Sequence, residues 1–533
     1  MSEFLLYYRR PDPTTWVYMS SFLTIGLFFI FRRFWSIRNL DIVLLILLAP
    51  GLLMVNEGYR RQTRLARQQL TAASVDSPIP KASNRESVGS TDLTTAAPAA
   101  DPNSEPGAEL LAGVGPESEL DLESRTEGES GLESGLESGP ESGPGDDRQE
   151  AEIVPLSPEQ YEASVSSARR IQRGGFIALF LVQMLLLVRL LLDPLMVRRP
   201  LLDPNLTTGG LNFIGISLFI FMMANVVAST PEIQQEQGPK LGPGYALMNM
   251  LPAIPTRPVS EALAGAEPPR IDELSGAEQR RTMIAKVIAI LAQSAVLIAI
   301  LLIGNRHYGN LRAGAGCATL YLLMPYTAQM TGRVDHVVPA ALLLWAVLLY
   351  RKPMAAGVLV GAAAGLVYYP LFLLPLWFSF YWPRGARRFA VGVSAMLAIL
   401  MCLLAFAGGE PFLVHLRWMF GLFFPIEDPR GIWELGWYPA WRLPVIAAFV
   451  ILSALFAAWP AQKNLGTLIS CSAAVMVATQ FWHSYGGGLY MAWFLPLVLL
   501  TIFRPNLQDR VALKVIDAPA ATPTRAPLEM DAA

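Results

Sequence analysis

The sequence predicts an all-α polytopic membrane protein of about 12–13 transmembrane helices, interrupted by a disordered acidic linker. Three observations predict this class. Of 533 residues, 53% are hydrophobic and only 16% charged, and mean hydropathy is +0.39. That balance belongs to polytopic membrane proteins. Apolar runs recur along the chain at or near the roughly 20 residues that a span needs. Charge is segregated: residues 101–150 hold 15 Asp and Glu against 2 Arg, although the whole chain is close to neutral at −2.

The elements follow in order. Runs near 15–31 and 40–56 predict an N-terminal two-helix membrane hairpin within 1–60. Arg32 and Arg33 follow the first run with no small-residue cleavage site, so it reads as a retained span. Residues 61–170 read as a linker rich in Ser, Gly, Pro and Glu, with the near-repeat GLES-GLES-GPES at 131–142. Such a segment cannot bury enough apolar surface to offset its ordering entropy, so disorder is expected. A multi-helix membrane domain is expected over 171–505, with spans near 174–192, 211–229, 283–303, 313–330, 334–350, 387–408, 444–459, 466–481 and 488–503. The run 354–382 exceeds one span and is interrupted by Pro370 and Pro375. It reads either as one kinked helix or as two short ones meeting at 367–370. Residues 506–533 read as a disordered tail.

Lys and Arg favour cytoplasmic loops. Arg351 and Lys352, Arg384, Arg387 and Arg388, Lys463, and Arg504 and Arg510 share one side only if 354–382 enters and leaves at the same face. That gives 13 spans with the N-terminus outside. It also puts Arg60, Arg61, Arg64 and Arg67 outside, against the rule. The alternative has 12 spans and both termini inside.

The composition excludes several chemistries. Cys317, Cys402 and Cys471 all lie in apolar runs, so no disulfide framework, zinc site or thiol nucleophile is expected. There is no Walker motif and no nucleic-acid signature. Gly314-Ala-Gly316 sits in an apolar run without a preceding strand, which reads as helix packing by small residues. Arg189 and Asp193 read as an i,i+4 pair snorkelling at a span end.

The candidate functional residues lie where polar groups abut spans. Arg333, Asp335 and His336 share a short turn. A guanidinium, a carboxylate and an imidazole at that spacing can bind a phosphate, orient a hydroxyl or hold a divalent metal. Their bland alternative is an ion pair that caps two helix ends. Tyr368 and Tyr369 stand at the Pro break, where backbone N–H groups are exposed. His483 and Tyr485, in WHSYGGGLY, precede the last run. His415 and Arg417 belong to a long aromatic connection, 410–443. Ionisable groups at the edge of a span are costly unless they face protein or water, which makes them functional candidates.

Three stretches then carry a resemblance: MPYTAQMTGRVDH with its polar turn, the basic Tyr350-Arg-Lys352, and GVLVGAAAGLVYYPLFLLPLWF with its Tyr-Tyr-Pro break. Together they resemble membrane glycosyltransferases of the GT-C class, in particular the polyprenyl-phosphate mannosyltransferase-like family. The final HSYGGGLYMAWFLPLVLL is similar in texture to that family's last span. The resemblance implies a GT-C-like bundle over about 211–505 in a bacterial inner membrane. It also implies transfer of a mannose-like hexose from a polyprenyl-phosphate donor to an acceptor outside the cytoplasm. Asp335 and Glu232 would be the carboxylates; Glu232 is the acid nearest a span in the connection 230–282. Arg333, His336, Tyr368, Tyr369, His415, Arg417, His483 and Tyr485 would bind the lipid phosphate or substrate. Partners would be the lipid-linked sugar and membrane lipid, with no nucleic acid and no cofactor beyond a divalent metal. Tyr368 stands where the family's break carries Lys, which removes a cation from that position. A non-catalytic polytopic protein, a transporter or glycosyltransferase-like scaffold, is the alternative.

Overall fold

The computed structural model describes residues 13–76, 157–196, 202–229, 251–252, 254, 275–405, 413, 417, 431–433, 435, 437–483 and 487–505. Fourteen α-helices and no strands occur among them. They are α1 (Pro13–Phe28), α2 (Ile37–Asp76), α3 (Pro158–Leu192), α4 (Thr208–Ala228), α5 (Gly276–Leu302), α6 (Leu311–Leu323) and α7 (Pro325–Met330). Then follow α8 (Val334–Leu348), α9 (Pro353–Leu366), α10 (Leu374–Tyr381), α11 (Ala386–Ala405), α12 (Arg442–Ala458), α13 (Leu465–Ala478) and α14 (Leu495–Ile502). The chain divides into two compact units, one of residues 1–70 with 156–533 and one of 71–155. Of the second, only the end of α2 lies among the described residues.

Five helical stretches are long and apolar enough to cross a membrane: Ile37–Ala66, Pro158–Leu195, Thr208–Ala228, Gly276–His307 and Ala386–Leu403. Six further apolar helices are shorter, such as Leu311–Leu323 and Val334–Leu348. The architecture is that of an all-α membrane protein. It departs from a set of uniform full-length spans. The expected span 313–330 breaks at Met324, whose extended backbone (φ −61°, ψ 126°) is what the following Pro325 favours. The expected span 488–503 is helical only from Leu495, apart from a 3-10 turn at Met491–Trp493. These short pieces are buried almost throughout. Irregular backbone is tolerated at such depth only where protein surrounds it.

The helices also reach into the expected linker. α2 continues to Asp76, and α3 starts at Pro158 behind a capping box in which Ser157 and Gln160 bond each other's backbone N–H. Residues 77–156 and the tail from 506 lie outside the described residues.

Named contacts fix which helix ends lie together. His307 Nε2 meets the Leu348 carbonyl at 2.9 Å, the Tyr381 hydroxyl donates to the Tyr350 carbonyl at 2.5 Å, and the Tyr308 hydroxyl donates to Leu500 at 2.8 Å. These place residues 304–312, 348–353, 381–388 and 500–504 at one end, here the basic end. α9 therefore leaves that end and α10 returns to it, so 354–382 is a pair of short helices. α9 and α11 run parallel and close. A Cβ on Gly361 would lie 2.9 Å from the Val393 carbonyl, and one on Gly357 would overlap the Phe389 carbonyl. The GxxxGxxxG spacing of Gly357, Gly361 and Gly365 permits this approach. Gly314 packs against Gly304 for the same reason.

The N-terminal hairpin is part of the same unit. Arg189 on α3 makes a bidentate pair with Asp41 on α2, at 2.8 and 3.0 Å, and a third bond to Asp193 at 3.3 Å. Arg504 bonds the other oxygen of Asp193 at 3.2 Å. All four side chains are buried or nearly so. Arg189 and Asp193 thus do not snorkel to water; they are held inside protein by partners that lie far away in sequence.

Candidate functional site

At the opposite end of the bundle three groups of described residues converge: 326–336, 368–369, and 482–483 with 487–493. Each is held there by local chemistry. Arg333 precedes α8, and its guanidinium turns back on Asp335 at 3.1 and 3.0 Å. Asp335 sits in the first turn of α8, where a carboxylate is favoured by the helix dipole. Pro339 lies inside the same helix and has no N–H for the carbonyl of Asp335 four residues back. The indole N–H of Trp493 occupies that acceptor at 3.3 Å. One proline therefore opens the helix to a side chain from the far end of the chain.

His336 lies 3.6 Å from the Asp335 carboxylate through Nε2, and its Nδ1 bonds the Tyr326 hydroxyl at 2.5 Å. Its ring stacks on Tyr490, with centroids 4.6 Å apart and planes 16° from parallel. Tyr490 stacks in turn on His483 at 4.6 Å and on Trp493 at 4.5 Å. His483 stacks on Tyr369 at 5.1 Å, and Tyr369 contacts Tyr368 at 4.2 Å. A continuous file of rings thus runs from the Asp335 carboxylate to the helix break at Tyr368.

The loop that carries His483 and Tyr490 is wrapped around one glutamine. Gln480 Oε1 accepts from the backbone N–H of Gly488 at 3.1 Å and of Tyr490 at 3.2 Å. Gly488 has φ +93°, a conformation that side chains disfavour, and its carbonyl accepts from Gln183 on α3 at 2.8 Å. The adjacent Gly487 approaches the Gln480 carbonyl too closely for a Cβ. Gly487 and Gly488 are what let the chain approach Gln480 so closely.

Arg442 opens α12 beside this file. Its guanidinium is buried and donates to the Trp482 carbonyl at 3.1 Å. Burial, then the charge of Arg442, then His336 pull the His483 imidazole down to about 3, so it is neutral near pH 7.

Six of the ten residues singled out from the sequence are therefore together: Arg333, Asp335, His336, Tyr368, Tyr369 and His483. Arg417 is exposed, unlike the buried members of the file. Glu232, His415 and Tyr485 lie outside the described residues. Sequence reasoning missed Tyr326, Arg442, Gln480, Tyr490 and Trp493. Tyr490 and Trp493 read as the start of a span, and Arg442 as part of a surface connection. The signal that marks Tyr490 and Trp493 is the Gly run at 486–488, since each glycine costs a helix about 1 kcal/mol and so disfavours a helix start there. Among the described residues no group of three or more His, Cys, Asp or Glu side chains is placed to hold a metal ion.

The chain matches no protein-family model, and comparison with curated proteins and with solved structures finds no match.

Proposed function

We propose that the chain is an integral membrane glycosyltransferase, GT-C-like, that moves a hexose from a polyprenyl-phosphate donor to an acceptor hydroxyl. One observation carries the reading: the ring file that joins Asp335, His336, His483, Tyr369 and Tyr368 at the end of the bundle away from Arg351, Lys352, Arg384 and Lys463. By the positive-inside rule that end faces away from the cytoplasm in the C-terminal half, in a membrane taken to be a bacterial inner membrane. In the step proposed, the acceptor oxygen forms a bond to the anomeric carbon while the bond from that carbon to the donor phosphate oxygen breaks. Asp335 takes the hydroxyl proton, and the phosphate departs with the bonding electrons. Arg333, His336 and the Tyr368 and Tyr369 hydroxyls stabilise the charge that develops on it. Glu232, His415, Arg417 and Tyr485 keep their proposed roles as second carboxylate and substrate ligands.

A second reading has its own observation. Both oxygens of Asp335 are engaged by Arg333, which suits a helix-capping pair in a non-catalytic transporter or scaffold. Asp335→Asn in a glycolipid-labelling assay separates the two. Loss of a general base lowers transfer by about 10²–10⁴-fold. Unchanged product would remove Asp335 from the chemistry and leave the capping role.

A further inference from the structure

α2 and α3 lie antiparallel in a single register. A Cβ on Gly51 would overlap the Leu179 side chain, one on Gly58 the Gln172 side chain, and one on Gly175 would overlap Val55. That register sets residues 60–64 opposite 166–170. On both helices the apolar run stops at this level, after Val55 and before Gly174. Arginines stand just beyond it: Arg60, Arg61 and Arg64 on α2, and Arg169, Arg170 and Arg173 on α3. Glu57 is the one acid in residues 56–66 and 163–175. It is shared by Arg61 at 2.9 Å and Arg60 at 3.7 Å. Arg61, Arg64, Arg169, Arg170 and Arg173 are all exposed. Arginines three or four residues apart on one helix repel, so this density costs stability unless an external anion offsets it.

Exposed aromatic rings fix the height of the cluster. Arg173 stands over the ring of Trp437, with Cζ 5.5 Å from the centroid. Trp437, Tyr438 and Trp441 are exposed just before α12, and Tyr59 is exposed beside Arg60. At the other end of α2, Phe34 and Trp35 are exposed just before Ile37. Exposed Trp and Tyr at span ends mark the headgroup level. Between Ile37 and Tyr59 the helix rises about 33 Å, close to the roughly 30 Å of a hydrocarbon core. The arginines therefore stand at the level of lipid phosphates. Asn56 ties this level to the ring-file end, donating to Gln329 on α7 at 2.9 Å.

We infer that these arginines form a binding surface for anionic phospholipid headgroups in the leaflet at the ring-file end. A guanidinium meets a phosphate bidentately through its planar fork. Phosphatidylglycerol offers a phosphate with no cation of its own, whereas the choline of phosphatidylcholine cancels that charge. The height of the cluster selects a lipid over a soluble polyanion, because the arginines begin where lipid phosphates lie. The inference is independent of glycosyl transfer: α2 and α3 precede residue 211, outside the stretch that carries the family resemblance.

The test reconstitutes the full chain in vesicles, with the exposed Cys402 changed to Ser, and reads a fluorophore on Met54→Cys. Met54 is exposed and shares a helix face with Arg61, seven residues on. Phosphatidylglycerol and phosphatidylcholine, each carrying a nitroxide on the same acyl carbon, compete to quench it. Phosphatidylglycerol should be favoured at least about fivefold, the effect of one guanidinium at an anionic surface. At Ile220→Cys, an exposed position of α4, the two lipids should quench alike. Arg61→Gln, Arg64→Gln and Arg169→Gln together should bring the Met54 ratio to near one, while Lys at the same three positions keeps most of it. Should the Gln variant not fold, salt asks the same of the parent: raising ionic strength from about 0.1 to about 1 M cuts the screening length from about 10 to about 3 Å and should lower the ratio. A parent ratio near one, or a ratio unmoved in the Gln variant, overturns the inference and leaves the arginines as orientation signals. Dextran sulfate that binds the parent and not the Gln variant, while the lipid ratio stays near one, also overturns it and assigns the surface to a soluble polyanion.

Discussion

Replacing Asp193 by Asn tests whether the N-terminal hairpin is locked to the rest of the bundle by charge. Asp193 is fully buried and bonds two guanidiniums, Arg189 at 3.3 Å and Arg504 at 3.2 Å. Arg189 keeps its bidentate partner Asp41 in the variant, so the charge most affected is that of the buried Arg504. Removing one member of a buried ion pair costs about 3–5 kcal/mol. Because Asn retains an acceptor and Arg189 retains a carboxylate, the lower end applies, about 3 kcal/mol. That is a large share of a typical stability of about 5–15 kcal/mol. The assay is reversible denaturant unfolding of the detergent-solubilised chain, followed as a double-mutant cycle with Arg504→Met. Neutralising both partners should recover part of the loss, because the stranded charge is gone. Gly466→Ala provides an independent check: a Cβ there would overlap the Arg504 guanidinium, so it should destabilise the parent but much less the Arg504→Met background. A loss below about 0.5 kcal/mol for Asp193→Asn, the range of ordinary surface substitutions, or strict additivity with Arg504→Met would refute the reasoning.

Three further outcomes are expected. Gly357→Leu forces α9 off α11, since even a Cβ there overlaps the Phe389 carbonyl, and the cost of overpacking is about 1–3 kcal/mol in unfolding experiments; the same change at Gly26, which has open space around it, should cost much less. His483 is held near 3 in the folded chain against an ordinary value of 6.5, so the unfolded state takes up the proton first and stability falls as pH drops from about 6.5 toward 3. Between pH 7 and pH 5 that amounts to about 2 kcal/mol, and a His483→Gln variant with an equally steep pH profile would contradict it. Trp493→Phe removes the donor to the carbonyl of Asp335 and should cost about 1 kcal/mol; adding Pro339→Ala restores a backbone N–H for that carbonyl, and a double variant no more stable than the Trp493→Phe chain would show that the indole bond is irrelevant.

The legibility of this fold varied with the origin of each signal. Hydropathy is local, so the presence of apolar helices could be read directly; the helix starts that the structure shows behind Ser275 and Asn464 were not read from the sequence. Helix lengths could not be read. Met324 and the segment before Leu495 are apolar enough to belong to spans, and only their burial inside protein lets the backbone break there. The polar turn 333–336 and the Tyr-Tyr-Pro break stood out because lipid would not select them. Arg442 did not, because an arginine in an aromatic connection looks like any interfacial residue.

The sequence by itself determined the class of the protein and nominated Arg333, Asp335, His336, Tyr368, Tyr369 and His483, because composition and span edges are properties of neighbours along the chain. Only the tertiary structure decided that these six share one end of the bundle. It also decided that Asp41, Arg189, Asp193 and Arg504 form one buried network, and that the buried Arg442 reaches the Trp482 carbonyl beside the ring file. Those facts depend on side chains tens to hundreds of residues apart, as Trp493 and the carbonyl of Asp335 are. Their meeting is fixed by close helix packing through Gly357 and Gly361 and by the turn that Gly487 and Gly488 allow. No local pattern encodes it.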